Sequence, residues 1–199
     1  MDNFIIAIAG GTGSGKTTFT SELLKEFGDE IAVIRLSNYY NNDSGKVNYD
    51  NPAYLDKELI ISDIQALKRG ESIECPVYDM TTHSRQWETL HIEPKKVIVI
   101  EGMLVFALPE LLELIDVKVF VDADGDERII RRIMKEVNDT GKDVDEIINR
   151  YLSVIKPMHA KYVEPTKRHA DILVNGGLNK NAVELIKLKI KKELNERGN

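Results

Sequence analysis

The apolar positions of this chain change period several times, and each change marks an element. Phe4-Ile5-Ile6-Ala7-Ile8-Ala9 is a nearly continuous apolar run, and so are residues 31–36 and Val97-Ile98-Val99-Ile100. Runs this short and this apolar suit parallel strands buried on both faces. Residues 117–122 and 171–175 read as two further strands. Between them the spacing becomes helical. One helix runs from about Gly15 to Phe27, and Pro52 opens a second that carries Leu55, Leu59, Ile60, Ile64 and Leu67 up to Gly70. Proline is tolerated in a first turn, because the N–H it lacks would be unpaired there anyway. Further helical spans are 109–115, 126–137, 144 to about 163, and 179–196. Pro157 inside the fifth of these predicts a kink. Strands alternating with helices predict an α/β fold: a five-stranded parallel sheet with helices on both faces.

Three segments interrupt this alternation. Residues 37–51 are polar and rich in Asn, Asp and Gly, which predicts a loop. Residues 72–78 and 86–93 are short and extended around a loop at 79–85, and they predict a small antiparallel hairpin inserted into the main fold. Residues 139–142 break the basic helix that precedes them.

Bulk properties narrow the class. With 199 residues, of which 42% are hydrophobic, the chain is expected to form a single domain with a real core. A net charge of −6 argues against a protein that coats nucleic acid, while leaving room for a local basic site. Cys75 is the only cysteine, so no disulfide framework or zinc cluster is expected. Met1-Asp2-Asn3 lacks a basic leader, and no apolar run approaches the ~20 residues of a membrane span. The expectation is a cytoplasmic protein with no membrane or nucleic-acid partner.

The chemistry begins between the first strand and the first helix. Gly10-Gly11-Thr12-Gly13-Ser14-Gly15-Lys16-Thr17-Thr18 contains the Gly-x-x-x-x-Gly-Lys-Thr phosphate loop, in the strand–helix context the motif requires. Its glycines leave N–H groups unobstructed, and the helix offers its positive end to phosphates. Lys16 is expected to reach the β- and γ-phosphates, and the Thr17 hydroxyl to ligate Mg²⁺. Ligands of a parallel sheet gather at the carboxyl ends of its strands. Those ends hold Ser37-Asn38-Tyr39-Tyr40, Glu101-Gly102 and residues 122–126. Glu101 reads as the second metal-holding acid, against the plainer reading of an ordinary strand-terminal Glu. Arg128, Arg131 and Arg132 cluster on one helix and can act as a lid that stabilises phosphoryl charge. Alternatively they form a solvated basic face countered by Asp124, Asp126 and Glu127. Residues 122–126 do not make a calcium loop, since the glycine is misplaced and the twelfth position is Ile133. Tyr78, Asp79, His83, Arg85 and Trp87 in the hairpin could hold a base and sugar or could decorate a surface. His91, His159 and His169 have no ligand-like spacing and receive no role.

These residues together resemble the uridine kinase (uridine/cytidine kinase) family over nearly the full length. The resemblance is carried by the phosphate loop, Asn48-Tyr49-Asp50-Asn51-Pro52, Pro76-Val77-Tyr78-Asp79, His83-Ser84-Arg85, Glu101-Gly102, Arg131-Arg132, Lys156-Pro157 and Glu164-Pro165-Thr166. It implies a phosphate-loop kinase domain over 1–199, with the inserted hairpin at about 72–93 and a helical lid at about 124–145. It implies γ-phosphoryl transfer from ATP or GTP, with Mg²⁺, to the 5′-hydroxyl of uridine or cytidine, in a homo-oligomer, often a tetramer. Asp50 would bind the ribose hydroxyls, Tyr40, Tyr78 and His83 would line the nucleoside site, and Arg128 and Arg131 would form the lid. Three positions depart from the family. An Asp that serves as general base beside the 5′-hydroxyl is here Ser37. An Arg-Gly-Arg of the lid is here Thr140-Gly141-Lys142. A nucleoside-reading Gln is here Arg150, whose charge suits a more anionic acceptor. A kinase for another alcohol, such as a sugar phosphate, or a nucleotide-binding protein with little turnover therefore stay open as alternatives.

Overall fold

The computed structural model describes residues 3–41, 48–175 and 179–196, and a five-stranded sheet forms its centre. The strands are β1 (Phe4–Ala9), β2 (Ile31–Arg35), β5 (Val97–Glu101), β6 (Val117–Asp122) and β7 (Ile172–Asn175), in the spatial order β2-β5-β1-β6-β7. All four pairings are parallel. The expected five-stranded parallel sheet is therefore what the chain forms. β1 sits in the middle with all six residues buried, which is why its sequence is apolar without alternation. Its side chains still divide by parity. Ile5, Ala7 and Ala9 join Ile60, Ile64 and Leu67 of helix α2 (Lys57–Arg69) on one face. Ile6 and Ile8 join Phe19 and Leu23 of α1 (Lys16–Phe27) and Ile186 and Ile190 of the closing helix (Lys180–Glu196) on the other.

The inserted hairpin is β3 (Ile73–Asp79) paired antiparallel with β4 (Ser84–Ile92). Three local expectations need correction. Pro52 opens only the 3-10 turn Pro52–Tyr54, because Leu55 pairs with Tyr40 as an extended bridge. Helix α2 starts afresh behind Asp56, whose carboxylate accepts from the Leu59 N–H. Second, the strand at 31–36 stops at Arg35, and Leu36–Tyr39 forms a 3-10 turn. Third, the basic helix α4 (Gly125–Thr140) outlasts its predicted end and stops where Gly141 adopts a left-handed φ of 66°. The span in which Pro157 predicts a kink runs on through turns that are not α-helical. Helix α5 (Val144–Arg150) continues through a π turn (Tyr151–Ile155), a short α6 (Lys156–Met158) and a second π turn (His159–Val163). These widened turns flank the position where proline withholds a hydrogen bond. Residues 42–47 of the loop expected at 37–51 lie outside the described residues. No helix among the described residues is long and apolar enough to cross a membrane.

Candidate active site

The phosphate loop leaves β1 at the sheet's carboxyl edge and enters α1. Gly10, Gly13 and Gly15 have φ values of 145°, 76° and 101°, which L side chains rarely adopt. Space adds a second demand at Gly13, where a Cβ would lie 2.6 Å from the Arg128 carbonyl oxygen. Gly15 caps α1 with no side-chain partner, so the N–H groups of the first turn remain free to meet an anion. Lys16 Nζ donates to the Gly11 carbonyl at 2.9 Å. Burial of this ammonium pushes its pKa down to about 8; Arg128 adds to the shift while Glu101 and Asp50 oppose it. Ser14 Oγ is buried without a partner among the described residues. Thr18 stands exposed in the first turn.

Glu101 closes β5 immediately beside the loop. Gly102 then makes a close approach possible, since a Cβ there would lie 2.4 Å from Leu36 Cβ. The Thr17 hydroxyl donates to Glu101 Oε1 at 2.6 Å, and Glu101 Oε2 is buried with no partner among the described residues. An orphaned buried carboxylate oxygen is costly unless something charged meets it. Magnesium suits this pair, because it takes hard oxygens, keeps water and substrate oxygens, and needs only one or two protein ligands. No cluster of three or more His, Cys, Asp or Glu converges among the described residues, and a magnesium site of this kind requires none.

A cavity of about 720 Å³ begins at Thr12, Lys16, Thr17 and Glu101 and ends at Ser37, Tyr40, Tyr49, Asp50, His83 and Arg150. Ser37 reaches it from the Leu36–Tyr39 turn. That turn is pinned by Tyr39, which donates to Asp63 at 2.9 Å, and by Asn38 against Cys75 Sγ. Asp50 is buried at 5% exposure, and its Oδ1 has no partner among the described residues. Burial raises its pKa above the usual carboxylate value, while Arg132, Arg150 and Lys16 pull the other way. Tyr40 donates to the Tyr49 carbonyl at 2.6 Å. The Tyr49 hydroxyl lies 3.3 Å from that of Tyr78 and bonds His83 Nδ1, and its ring stacks on the imidazole. His83 holds a positive φ of 54° at the hairpin tip. Arg85 fastens the hairpin to the body, donating to Asp56 at 3.1 Å and to the Tyr40 carbonyl at 3.2 Å.

The lid residues are placed unevenly. Arg128 is buried and donates to the Ala123 carbonyl at 3.1 Å and the Thr12 carbonyl at 3.5 Å. Arg131 donates to the Gly13 carbonyl at 3.3 Å and pairs with Glu127. Both touch the phosphate loop without lining the cavity, whereas Arg132, which donates to Thr12 Oγ1 at 3.2 Å, also lines it. Thr140 and Lys142 line the cavity too. Tyr78 is buried behind Tyr49 rather than at the cavity wall, and Trp87 is fully exposed. Sequence reasoning assigned no role to Tyr49, although it lies next to Asp50. Its partner His83 is far along the chain, and only folding of the hairpin joins them. It also gave none to His159, whose ring packs against Gly11. The one usable signal there was Gly11 itself, a glycine leaving room for a neighbour.

Comparison with known proteins agrees with this geometry. The model of the phosphoribulokinase/uridine kinase family matches residues 5–184. A uridine kinase of Clostridium perfringens (strain SM101) is 43% identical over 198 residues, covering 95% of each chain. A uridine kinase of Clostridium novyi is 40% identical over 205 residues, covering 98% of this chain and 99% of its own. Among solved structures, phosphoribulokinase from Rhodobacter spheroides superposes with a TM-score of 0.66 at 12% identity, over 87% of this chain and 70% of its own, which speaks to the fold alone. A matching phosphate loop, a metal-type acid beside it and full-length relatives at this identity together make the chain a member of the phosphoribulokinase/uridine kinase family of phosphate-loop kinases.

Proposed function

We propose that the protein transfers the γ-phosphoryl group of ATP or GTP to the 5′-hydroxyl of uridine or cytidine. The observation that carries this reading is the single cavity that joins Lys16, Thr17 and Glu101 to a wall of Tyr49, Asp50 and His83. The names of the two clostridial relatives support the same acceptor. Thr17 and Glu101 would hold Mg²⁺, which neutralises charge on the β- and γ-phosphates when bound. Lys16 and the loop N–H groups orient the triphosphate, and Arg128, Arg131 and Arg132 stabilise charge at the transferring group. Asp50 takes the ribose hydroxyls. Tyr40, Tyr49 and His83 frame the base, with Tyr78 buried behind Tyr49 and bonded to its hydroxyl, and Arg150 faces the open side. In the reaction the 5′-oxygen forms a bond to the γ-phosphorus, the bond to the β–γ bridging oxygen breaks, and the hydroxyl proton is released. One kinase domain over 1–199, working as a cytoplasmic homo-oligomer, completes the reading.

Ser37 sits at the acceptor end where a carboxylate would receive that proton, and a serine at neutral pH does not. Positioning and charge stabilisation carry most of phosphoryl transfer, so turnover survives without a base. General-base help is worth about 10²–10⁴-fold. Ser37→Asp is therefore expected to raise kcat on uridine. An unchanged or lower kcat would refute the missing-base account, and turnover of an anionic alcohol with none of uridine would refute the acceptor.

A further inference from the structure

The proposed reaction leaves one partly buried imidazole unused. His159 stands in the second π turn, and its ring edge fills the space a side chain would take at Gly11. A Cβ built on Gly11 would lie 2.8 Å from His159 Cε1, 3.0 Å from its Nδ1 and 2.7 Å from Arg128 Nη1. Two basic side chains therefore meet over one residue of the phosphate loop. Glu164 holds the far side of the ring, with its Oε2 3.2 Å from His159 Nε2. A carboxylate only accepts hydrogen bonds, so the neutral ring carries its proton on Nε2. Nδ1 is then a bare lone pair, buried and without a partner among the described residues.

We propose that His159 is a positioning residue of the phosphate loop and that it takes up a proton when a nucleoside triphosphate occupies that loop. The proposal rests on the reading of Gly10–Thr17 as a nucleotide site and is independent of the acceptor. Four charged groups set the balance around the ring. Arg128 on α4 opposes a second cation, whereas Glu164 and Asp122 at the end of β6 favour one, and Lys167 pairs with Asp122. Burial, followed by Arg128, lowers the imidazole pKa, so the ring is neutral at pH 7 in the free protein. A triphosphate brings several negative charges to the other side of Gly11. They act on Arg128 and His159 alike and favour the imidazolium. The proton comes from buffer and enters at Nδ1, the unoccupied nitrogen.

Calorimetry of ATP binding to the full-length protein at about pH 6.5, in two buffers of different ionisation enthalpy, counts that proton directly. Wild type is expected to take up more proton per nucleotide than His159→Gln, which keeps a polar side chain of similar reach. Equal counts in the two proteins would overturn the linkage, whereas no ATP binding to either would overturn the nucleotide-site reading instead. The contact has its own test: Gly11→Ala is expected to weaken ATP binding about tenfold or more, since its methyl group meets both the ring and Arg128 Nη1. Adding His159→Ala to Gly11→Ala should recover the share of that loss due to the ring, more than His159→Ala alone changes binding in wild type, and no such difference between the two backgrounds would refute the contact.

Discussion

Asp50 is an expensive residue to fold. It buries a carboxylate with one oxygen unpartnered among the described residues, and burial raises its pKa. A carboxyl whose folded pKa exceeds its unfolded value holds its proton more tightly when folded. Its contribution to stability is therefore fully present below about pH 4 and is lost as pH rises through the raised value. Above that value the ionised group is a net cost, which the ribose-binding role proposed for Asp50 would account for. Asp50→Asn should then stabilise the protein at pH 7, by about 0.5–2 kcal/mol, while abolishing most nucleoside turnover. Thermal melts at pH 7 and at pH 4 check this: the gain should shrink toward the acid end. A variant less stable than wild type at pH 7 would show that the charge is satisfied after all. The residue was legible in the sequence, within Asn48-Tyr49-Asp50-Asn51-Pro52, but its cost was not. Burial and a missing partner come from the packing of Tyr40, Tyr49 and the lid around it.

At the scale of elements, the hairpin and helix α4 bracket the cavity, and each is tied to the body by arginines. Arg85 links β4 both to Asp56, the cap of α2, and to the Tyr40 carbonyl just beyond the Leu36–Tyr39 turn. This geometry places Tyr49 and His83 at a fixed distance from Asp50. Arg85→Ala removes hydrogen bonds that involve a charged donor, each worth about 1.5–3 kcal/mol. Its KM for uridine should rise about tenfold or more, with the KM for ATP little changed; steady-state kinetics with each substrate varied in turn would decide. An equal rise in both would mean that the hairpin serves the whole fold rather than the acceptor. The hairpin itself was readable from its extended residues and turn, as were all five sheet strands. What the pattern could not supply was where helices begin and end. Pro52 looked like a start, but Leu55 is held in a bridge to Tyr40, and the real cap is Asp56. Around Pro157 the helix continues through two π turns. The Pro52 outcome depends on the pairing of Leu55 with Tyr40, which the local pattern does not show.

Across the whole molecule, the sheet's two faces and the loop at its carboxyl edge follow from apolar period and one motif, so the phosphate-loop end of the cavity was legible from the start. Ser37, Asp50, His83 and Arg150 were also singled out in the sequence, but their lining one cavity was not legible, because they come from separate segments that only folding joins. The homo-oligomer belongs to the proposed reading, and a sedimentation experiment is expected to find one, with a monomer at micromolar concentration contradicting that reading. The proposed reaction turns on which hydroxyl receives phosphate. Incubation of the purified protein with uridine, ATP and Mg²⁺, followed by phosphorus-31 NMR of the products, decides this. Uridine 5′-monophosphate formed in equal amount with ADP is the expected result, and ADP formed without any phosphorylated nucleoside would refute the proposed acceptor.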